Sequence, residues 1–301
     1  MFRLLDAKVF EAWFRDWISG LAGVVAGVVA IDGKTACGSR DGHNTALHTI
    51  SAYATASGLC LGQEHTRGKG NEIPAIKALL DTLALKGCIV TLDAIGCQTE
   101  IAQKILDRGG DYLLAVKDNQ KDLADALREF FAEGETWGFG SLTISHYQSL
   151  EKDHGRIETR QAMWVSDLSW LDKKLRDHWP KLAGIGMIER QREINGTVSI
   201  ERAYYIGSQG ITSAESFAQA ARAHWGIENS LHWVLDITFR EDDCRVRKDQ
   251  APHNFAALRK FALALLRQDT HYPKRSLRSR RKTAERLPDY RASLLGLCPR
   301  G

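Results

Sequence analysis

The chain has 301 residues, of which 44% are hydrophobic and 26% are charged, and its net charge at pH 7 is +4. This balance is typical of globular domains and excludes a largely disordered chain. No apolar run reaches the roughly 18 residues expected of a membrane span, and the acidic, aromatic N-terminus does not resemble a secretory signal. The six cysteines form no CxxC pair, so reduced thiols and a cytoplasmic location are expected.

Positive charge is concentrated at the C-terminus. Residues 271–301 contain nine Lys or Arg against two acids, so the rest of the chain is slightly acidic. Because Lys and Arg neutralise phosphates and release counterions, this tail predicts a polyanionic partner, with a merely solubilising tail as the alternative. The residues expected to hold a nucleic-acid backbone are Lys274, Arg275, Arg278, Arg280, Arg281, Lys282 and Arg286.

Apolar spacing predicts the first elements of the chain. Residues 1–20 place apolar side chains three and four positions apart, which is typical of an amphipathic helix. Residues 24–31 are continuously apolar and predict a buried central strand. Residues 48–55 and 59–66 flank a Gly-containing turn and predict a β-hairpin.

Helices and strands then alternate. Helices are expected at 71–85, 99–108 and 120–131, with short apolar strands at 89–93 and 112–116. Such alternation is typical of α/β proteins.

Beyond about residue 138 the pattern becomes that of a β structure. Residues 141–148, 157–165 and 198–206 alternate as strands do, with turn residues between them. The order of elements therefore predicts an α/β fold, in which a mixed sheet flanked by helices is interrupted by a β-rich insertion.

Helical spacing returns near the C-terminal third. Thr212-x-x-Glu215 predicts a capping box, from which one long helix should continue to about Leu235. Pro252 is expected to open a further helix that ends near Arg267.

Two aspartates follow predicted core strands. Asp32 comes directly after the first apolar strand, and Asp93 comes at the end of the strand at 89–93. Ligands of open α/β sheets bind at the carboxyl ends of the strands, and Mg²⁺ prefers oxygen ligands. The pair therefore favours a hard-cation site, although two unrelated aspartates that cap turns would give the same pattern.

The segment 224–233 contains a further candidate. At α-helical spacing His224, Glu228 and His232 fall on one face, beside an apolar face. An acid flanked by histidines and tryptophans is unusual on a solvated helix, so this helix is expected to lie beside a site. An amphipathic helix with locally bonded histidines is the alternative.

A set of short motifs occurs in a fixed order. They are Ile31-Asp32-Gly33-Lys34, Gly70-Asn71-Glu72-Ile73-Pro74-Ala75, Asp93-Ala94 with Gln98, Val116-Lys117-Asp118-Asn119-Gln120, His154-Gly155-Arg156-x-Glu158-x-Arg160, the stretch 224–233, and Glu241-Asp242-Asp243. Together they resemble the DDE transposases of bacterial insertion sequences, in the branch that includes the H-repeat-associated proteins. The resemblance extends roughly from Asp32 to Arg267.

This resemblance implies a ribonuclease H-like fold and a catalytic triad. Asp32 matches the first acid, at the end of the first strand, and Asp93 matches the second, at the end of the fourth. Glu228 matches the third, on a helix beyond the insertion, with Glu241 and Asp236 as fallback candidates. The three acids are expected to bind two Mg²⁺ ions, which Mn²⁺ can replace, for an in-line attack on a phosphodiester.

The implied function is cleavage of double-stranded DNA at the ends of the element and transfer of its 3′-hydroxyl into target DNA. Related branches have a Tyr and an Arg before the Glu and a Lys after it, where this chain has Ala221, His224 and Leu235. A homodimer in the DNA complex and association with the nucleoid are further implications. The DNA contacts expected outside the tail are Lys34, His154, Arg156, Arg160, Arg222, His224, Trp225 and His232.

The expected division of the chain follows from this resemblance. It comprises an N-terminal helical segment (1–20), the first part of the ribonuclease H-like core (21–138), the β-rich insertion (139–207), the second part of the core with the catalytic helix (208–270) and the basic tail (271–301). Relatives usually have a longer N-terminal segment. The alternative is therefore a truncated, inactive remnant of a mobile element that only binds DNA.

Two other classes of site fit the sequence less well. A phosphate-binding loop at Gly27 to Thr35 has one residue too many, and the apolar strand continues to Ile31 where the loop should be. A zinc site on His224 and His232 would have to span about 12 Å of helix, which is too far for one ion.

Overall fold

A computed structural model describes residues 1–40, 42, 45–67, 70–153, 156–194 and 196–297, without the side chains of Arg67, Asp153 and Arg156. Over these residues the strands are β1 (Gly27–Ala36), β2 (Leu47–Ala54), β3 (Leu59–Arg67), β4 (Cys88–Leu92), β5 (Asp111–Val116), β6 (Ile144–Asp153), β7 (Arg156–Val165), β8 (Gly184–Ile194) and β9 (Thr197–Gly207). The helices are α1 (Ala7–Ala22), α2 (Glu72–Asp81), α3 (Thr99–Asp107), α4 (Lys121–Trp137), α5 (Lys173–His178), α6 (Ala214–His224), α7 (Trp233–Phe239), α8 (Ala251–Gln268), α9 (Leu277–Arg286) and α10 (Pro288–Leu294).

The strands form a mixed sheet in the order β3-β2-β1-β4-β5-β9-β8-β7-β6. β1, β4 and β5 are parallel neighbours, whereas β2 and β3 form the expected antiparallel hairpin. β6 to β9 form an antiparallel meander whose last strand pairs with β5. This arrangement confirms the predicted ribonuclease H-like mixed sheet with a β-rich insertion.

One strand of the insertion, β8, is absent from the prediction. Its sequence starts Gly184-Ile185-Gly186 and ends in alternating charges, so it lacks a clear apolar alternation. The glycines have a packing reason, because a Cβ at Gly184 would lie 2.5 Å from the Trp164 ring and one at Gly186 would lie 2.6 Å from the Phe217 ring. The short helix α5 is likewise missing from the prediction.

Several predicted boundaries are wrong. α2 ends at Asp81 rather than near residue 85. The capping box of α6 uses Ser213 and Ser216 rather than Thr212 and Glu215, because Ser213 accepts from the Ser216 backbone N–H. The single helix expected to reach Leu235 is interrupted after His224, and its continuation includes the π-helical segment Ile227–His232.

Contacts divide the chain into two compact units. The first comprises residues 1–24, 33–75 and 226–301, and in it α1 packs on β3 and α8 around Phe14, Ile18 and Leu59. The second comprises residues 25–32 and 76–225, and in it α6 lies on the meander around Trp164 and Phe217. Among the described residues, no helix combines the length and apolarity needed to cross a membrane.

The basic C-terminal residues are mostly helical. Tyr290 of α10 donates a hydrogen bond of 2.7 Å to the Asp269 carboxylate at the end of α8. Asp269 also accepts from the backbone N–H groups of His271 and Tyr272. These bonds tie α10 and the turn before α9 to the end of α8.

Within the first unit, a buried carboxylate joins α1 to β3 and α8. The Glu11 side chain accepts a hydrogen bond of 3.2 Å from the backbone N–H of Gln63 on β3, whose side chain in turn accepts from Lys260 of α8. Burial raises the pKa of Glu11 to about 7, although Lys260, Gln63 and Arg15 lower it. Glu11 therefore binds a proton more strongly in the folded chain than in the unfolded one.

We expect Glu11→Gln to flatten the dependence of stability on pH. The pKa of Glu11 in the folded chain lies above its ordinary value. The contribution of Glu11 to the free energy of unfolding is therefore fully present below about pH 4.5 and is lost as the pH rises to about 7. Urea unfolding at several pH values between these limits measures the difference. Glu129→Gln, at an exposed glutamate of α4, is the matched control. Equal pH dependence in wild type and Glu11→Gln would contradict the assignment.

Candidate active site

The register of two parallel strands places Asp32 beside Asp93. The pairing of β1 with β4 ends at the pair Ile31 and Leu92, and the two aspartates come next. Since neighbouring strands lie about 4.8 Å apart, the two backbones are adjacent at this point. β1 continues to Ala36, so Asp32 lies within the strand and not at its end as predicted, but beyond its pairing with β4. Asp93 is exposed and Asp32 is half-buried.

The loop after Asp93 is held by two amide side chains. Asn119 donates a hydrogen bond of 2.6 Å to the carbonyl oxygen of Ala94, and Gln120 donates one of 2.9 Å to that of Cys97. Both amides belong to the motif 116–120, which follows β5, the parallel neighbour of β4. The motif thus fixes the backbone that presents Asp93, a role that the sequence did not reveal.

His224 is also tied to β4. Its Nδ1 lies 3.0 Å from the hydroxyl oxygen of Thr91, which is buried. The C-terminal end of α6 is therefore docked on β4 at Thr91, two residues before Asp93.

Two of the ordered motifs meet at a buried histidine on β2. His48 Nδ1 lies 2.8 Å from the hydroxyl of Thr35, and its Nε2 lies 3.0 Å from the carboxylate of Glu72. Gly33 gives the ring its space, since a Cβ there would lie only 2.6 Å from His48 Nε2. Packing around His48 thus explains Gly33 in the first motif and Glu72 in the second.

Glu228 is the second residue of the π-helical segment Ile227–His232. Its carboxylate is about half exposed and lies 3.4 Å from Nδ1 of the buried His232. π-Helical turns are rare and occur often at functional sites. The prediction that His224, Glu228 and His232 share one face of a regular helix is wrong, because His224 ends α6 before this turn begins. Glu228 and His232 are close enough to act as neighbouring ligands of one cation.

The fallback acids have structural partners. Asp236 Oδ1 lies 2.8 Å from the amine of Lys34, and Glu241 lies 3.9 Å from that amine and 3.6 Å from Arg259. Glu241 is 5% exposed, and these two cations offset the cost of burying its carboxylate. The ion pairs favour Glu228 over Asp236 and Glu241 as the third acid.

A cavity lies next to this cluster but does not suit an organic substrate. Its volume is about 20 Å³, and its lining includes Lys34, Glu241 and Arg259. That volume holds about one water molecule. The candidate site is therefore an open carboxylate edge rather than a pocket.

The residues expected to contact DNA have different surroundings. Arg160 is paired with Glu151 and with the buried Glu158, and Arg222 lies 3.0 Å from Glu151. Burial would raise the pKa of Glu158, but Arg192 and Arg160 lower it below the ordinary value. His154 lies outside the described residues, and the side chain of Arg156 is likewise not described. Trp225, expected to contact DNA, is 50% exposed, and Trp233 of the same sequence stretch is 60% exposed. Such exposure suits stacking on a base better than packing in the core.

The basic residues near the C-terminus divide into two groups. Arg280 is only 11% exposed, and it donates hydrogen bonds of 2.8 Å to the carbonyl oxygens of Leu266 and Pro273. Arg280 therefore holds the turn before α9 to the end of α8. Of the basic residues expected to contact DNA, Lys274, Arg275, Arg278, Lys282 and Arg286 are exposed, and Arg281 is half-buried.

Comparison with known proteins gives consistent matches. The family model described as "Transposase DDE domain" matches residues 25–265. YncI of Escherichia coli O157:H7 is 38% identical over 93% of this chain and 72% of its own length. The H repeat-associated YhhI of Escherichia coli strain K12 is 40% identical over 96% of this chain and 75% of its own length. The name of each of these two relatives describes it as a presumed transposase.

A solved structure is a more distant match. The piggyBac transposase in a synaptic complex with hairpin DNA shares 10% identity, with a TM-score of 0.38, over 90% of this chain and 57% of that chain. The family assignment depends on the sequence matches alone.

We expect Glu241→Gln to destabilise the protein far more than Glu228→Gln. The first change leaves Arg259 without its buried carboxylate, which costs on the order of 3 kcal/mol in the free energy of unfolding. The second changes a half-exposed side chain and should cost less than about 1 kcal/mol. Urea unfolding at pH 7 compares the two variants. A loss of equal size in both would give Glu228 a structural role.

Proposed function

This chain belongs to the family of transposase DDE domains, and on that premise we propose that it cleaves DNA at the ends of an insertion sequence and joins the freed 3′-hydroxyl to target DNA. Membership in the family supports a transposition function and an enzyme that uses a divalent metal. The observation that supports the finer proposal is the register of β1 and β4, whose pairing ends at Ile31 and Leu92, one residue before Asp32 and Asp93.

The proposed catalytic acids are Asp32, Asp93 and Glu228. Carboxylate oxygens suit Mg²⁺, and two adjacent aspartates would repel one another without a cation. The choice of Glu228 is supported by its exposure and by the engagement of Asp236 and Glu241 with Lys34. Bound Mg²⁺, or Mn²⁺ in its place, would polarise the attacking water or 3′-hydroxyl and stabilise the leaving oxygen.

The other residues of the site would position the three acids. Asn119 and Gln120 hold the loop after Asp93, so its carboxylate needs little rearrangement when a cation binds. Thr91 orients the imidazole of His224, which would lie beside the DNA backbone. A hydrolysis followed by attack of a DNA 3′-hydroxyl requires no nucleophile from the protein.

The proposed partner is double-stranded DNA, bound by a homodimer that pairs the two element ends in the bacterial cytoplasm. On α9, Arg278, Lys282 and Arg286 are exposed at a spacing of four residues, which puts them on one helix face. Such a row would hold phosphates without reading sequence. The exposed Trp225 and Trp233 would stack on bases unpaired near the cut.

We expect Asp32→Asn, Asp93→Asn and Glu228→Gln each to abolish metal-dependent cleavage while DNA binding survives. Each change removes a cation ligand of proposed charge −1 and keeps the shape of the side chain. Cleavage of DNA that carries the flanking ends of the gene, in Mg²⁺ or Mn²⁺, measures activity, and gel shift without metal measures binding. Asp122→Asn, at an exposed aspartate of α4, is the matched control.

The outcomes separate the two functional hypotheses. Normal cleavage by Asp32→Asn or Asp93→Asn would reject the site. Binding without cleavage by the wild type, in either metal, would favour a DNA-binding remnant of a mobile element.

We expect Arg278→Gln combined with Lys282→Gln to weaken DNA binding and to reduce its salt dependence. Each phosphate contact adds about 0.9 to the slope of log affinity against log salt, so the slope should fall by about 2. Fluorescence anisotropy between low and moderate salt measures it. Arg128→Gln combined with Lys77→Gln, at ion-paired surface positions, is the control with the same charge change. An unchanged slope in the α9 variant would exclude this helix from the DNA surface.

A further inference from the structure

Lys34 has an unusual environment for a lysine. It lies two residues after Asp32 in β1, so both side chains point to the same side of the strand. Its side chain is only 11% exposed, whereas lysines are seldom buried unless they are paired. The sequence suggested a contact with a DNA phosphate, and the surroundings of the amine argue against it.

Three carboxylates surround the Lys34 amine. Asp236 Oδ1 lies 2.8 Å away, Asp242 Oδ1 lies 3.0 Å away and Glu241 Oε2 lies 3.9 Å away. The amine donates a hydrogen bond to Asp242 and forms ion pairs with Asp236 and Glu241. With Arg259 included, the cluster has three negative and two positive charges, so it would repel a phosphate.

The acids reach Lys34 because the chain reverses at the end of α7. Arg240 adopts a left-handed conformation with φ of 53°, and the Glu241 N–H donates to the carbonyl oxygen of Leu235 at 3.1 Å. Asp236 therefore approaches from α7, and Glu241 and Asp242 from the turn after it. Burial alone would lower the pKa of Lys34, but the bonds to Asp236 and Asp242 raise it above the ordinary value.

The backbone after β1 is fastened to the same turn. The Cys37 N–H donates a hydrogen bond of 3.2 Å to Asp242 Oδ1, and Arg247 donates one of 3.1 Å to the carbonyl oxygen of Gly38. A Cβ at Gly38 would lie 2.4 Å from the carbonyl oxygen of Asp242, so the two backbones are in direct contact. The end of β1 and the turn after α7 form one rigid connection, in which Lys34 is the buried cation.

We propose that Lys34 is a positioning residue for the metal-binding acids, because it fixes the strand that carries Asp32 to the helix that follows Glu228. This inference rests on the proposed function. Asp32 is two residues from Lys34, and Glu228 is eight residues before Asp236 in consecutive helical segments. Loss of the amine would leave three acids without their cation and would release α7 from β1. Lys34 acts on the site through this link and does not contact DNA.

Direct metal binding tests the proposal apart from catalysis. Titration calorimetry with Mn²⁺ alone on the full chain should show affinity about tenfold to a hundredfold weaker in Lys34→Met than in wild type. Lys34→Arg, which restores the charge, should recover part of the loss. DNA affinity without metal, and its salt dependence, should be unchanged in both variants. Lys77→Met, which removes a lysine from a surface ion pair with Glu100, should bind Mn²⁺ as wild type does.

Other outcomes have distinct meanings. Wild-type Mn²⁺ affinity in Lys34→Met would overturn the proposal, and so would a salt slope lowered by about 1, which indicates a lost phosphate contact. If Lys34→Met does not fold, Asp242→Asn removes one of the three contacts at a 41% exposed acid and should weaken Mn²⁺ binding in the same direction. Unchanged Mn²⁺ affinity in Asp242→Asn would then refute the inference.

Failure of the proposed function gives a separate result. A wild-type chain that binds Mn²⁺ at Asp32 and Asp93 but does not cleave DNA would refute transposase activity. The Mn²⁺ affinities of the Lys34 variants would still decide whether Lys34 positions the acids. A wild-type chain that binds no Mn²⁺ would refute both.

Discussion

The parallel pairing of β1 with β4 is the constraint on which the candidate site depends. Parallel strands are linked by a crossover and start at the same edge, so residues far apart in sequence end side by side at the opposite edge. Here the pairing stops at Ile31 and Leu92, and an aspartate follows on each strand. A shift of one residue in either strand would turn one carboxylate to the other face of the sheet. The buried residues 29–31 prevent such a shift, since it would bring polar groups into the core.

Most of the ordered motifs support this edge and are not themselves chemical groups. Gly33, Thr35 and Glu72 surround His48, and Asn119 and Gln120 hold the loop after Asp93. Such supports limit the movement of the acids. A cation then binds more tightly, because the site does not have to rearrange. A short polar motif can therefore be essential for the site because its side chains hold the backbone that presents the acids.

The sequence predicted the features that depend on local patterns. The apolar run before Asp32, the hairpin at 48–66 and the alternation at 89–131 each have a clear period, and the structure confirms those elements. β8 could not be found in this way, because its glycines make room for Trp164 and Phe217 and only the packed rings explain them. The π-helical turn was also hidden, since its residues have ordinary helical spacing. The adjacency of Asp32 and Asp93 was expected from their positions after core strands, whereas the register that produces it is a tertiary property.

Long-range charge pairing was the least predictable part. Nothing near Lys34 in sequence indicates that its amine is bound by acids about 200 residues later, as the pair with Asp242 shows. The sequence offers Asp236 and Glu241 as alternatives to Glu228, and only the structure separates them. Asp236 and Glu241 balance a buried cation, whereas Glu228 lies half exposed beside a histidine. This difference has a physical meaning, because a carboxylate that already neutralises a lysine would have to give up that partner before it could bind Mg²⁺. The same reasoning separates Arg280, whose guanidinium is satisfied by backbone carbonyl oxygens, from the exposed arginines of α9. In this protein, a carboxylate that balances a buried cation is less available to a ligand than one that lies half exposed at the surface.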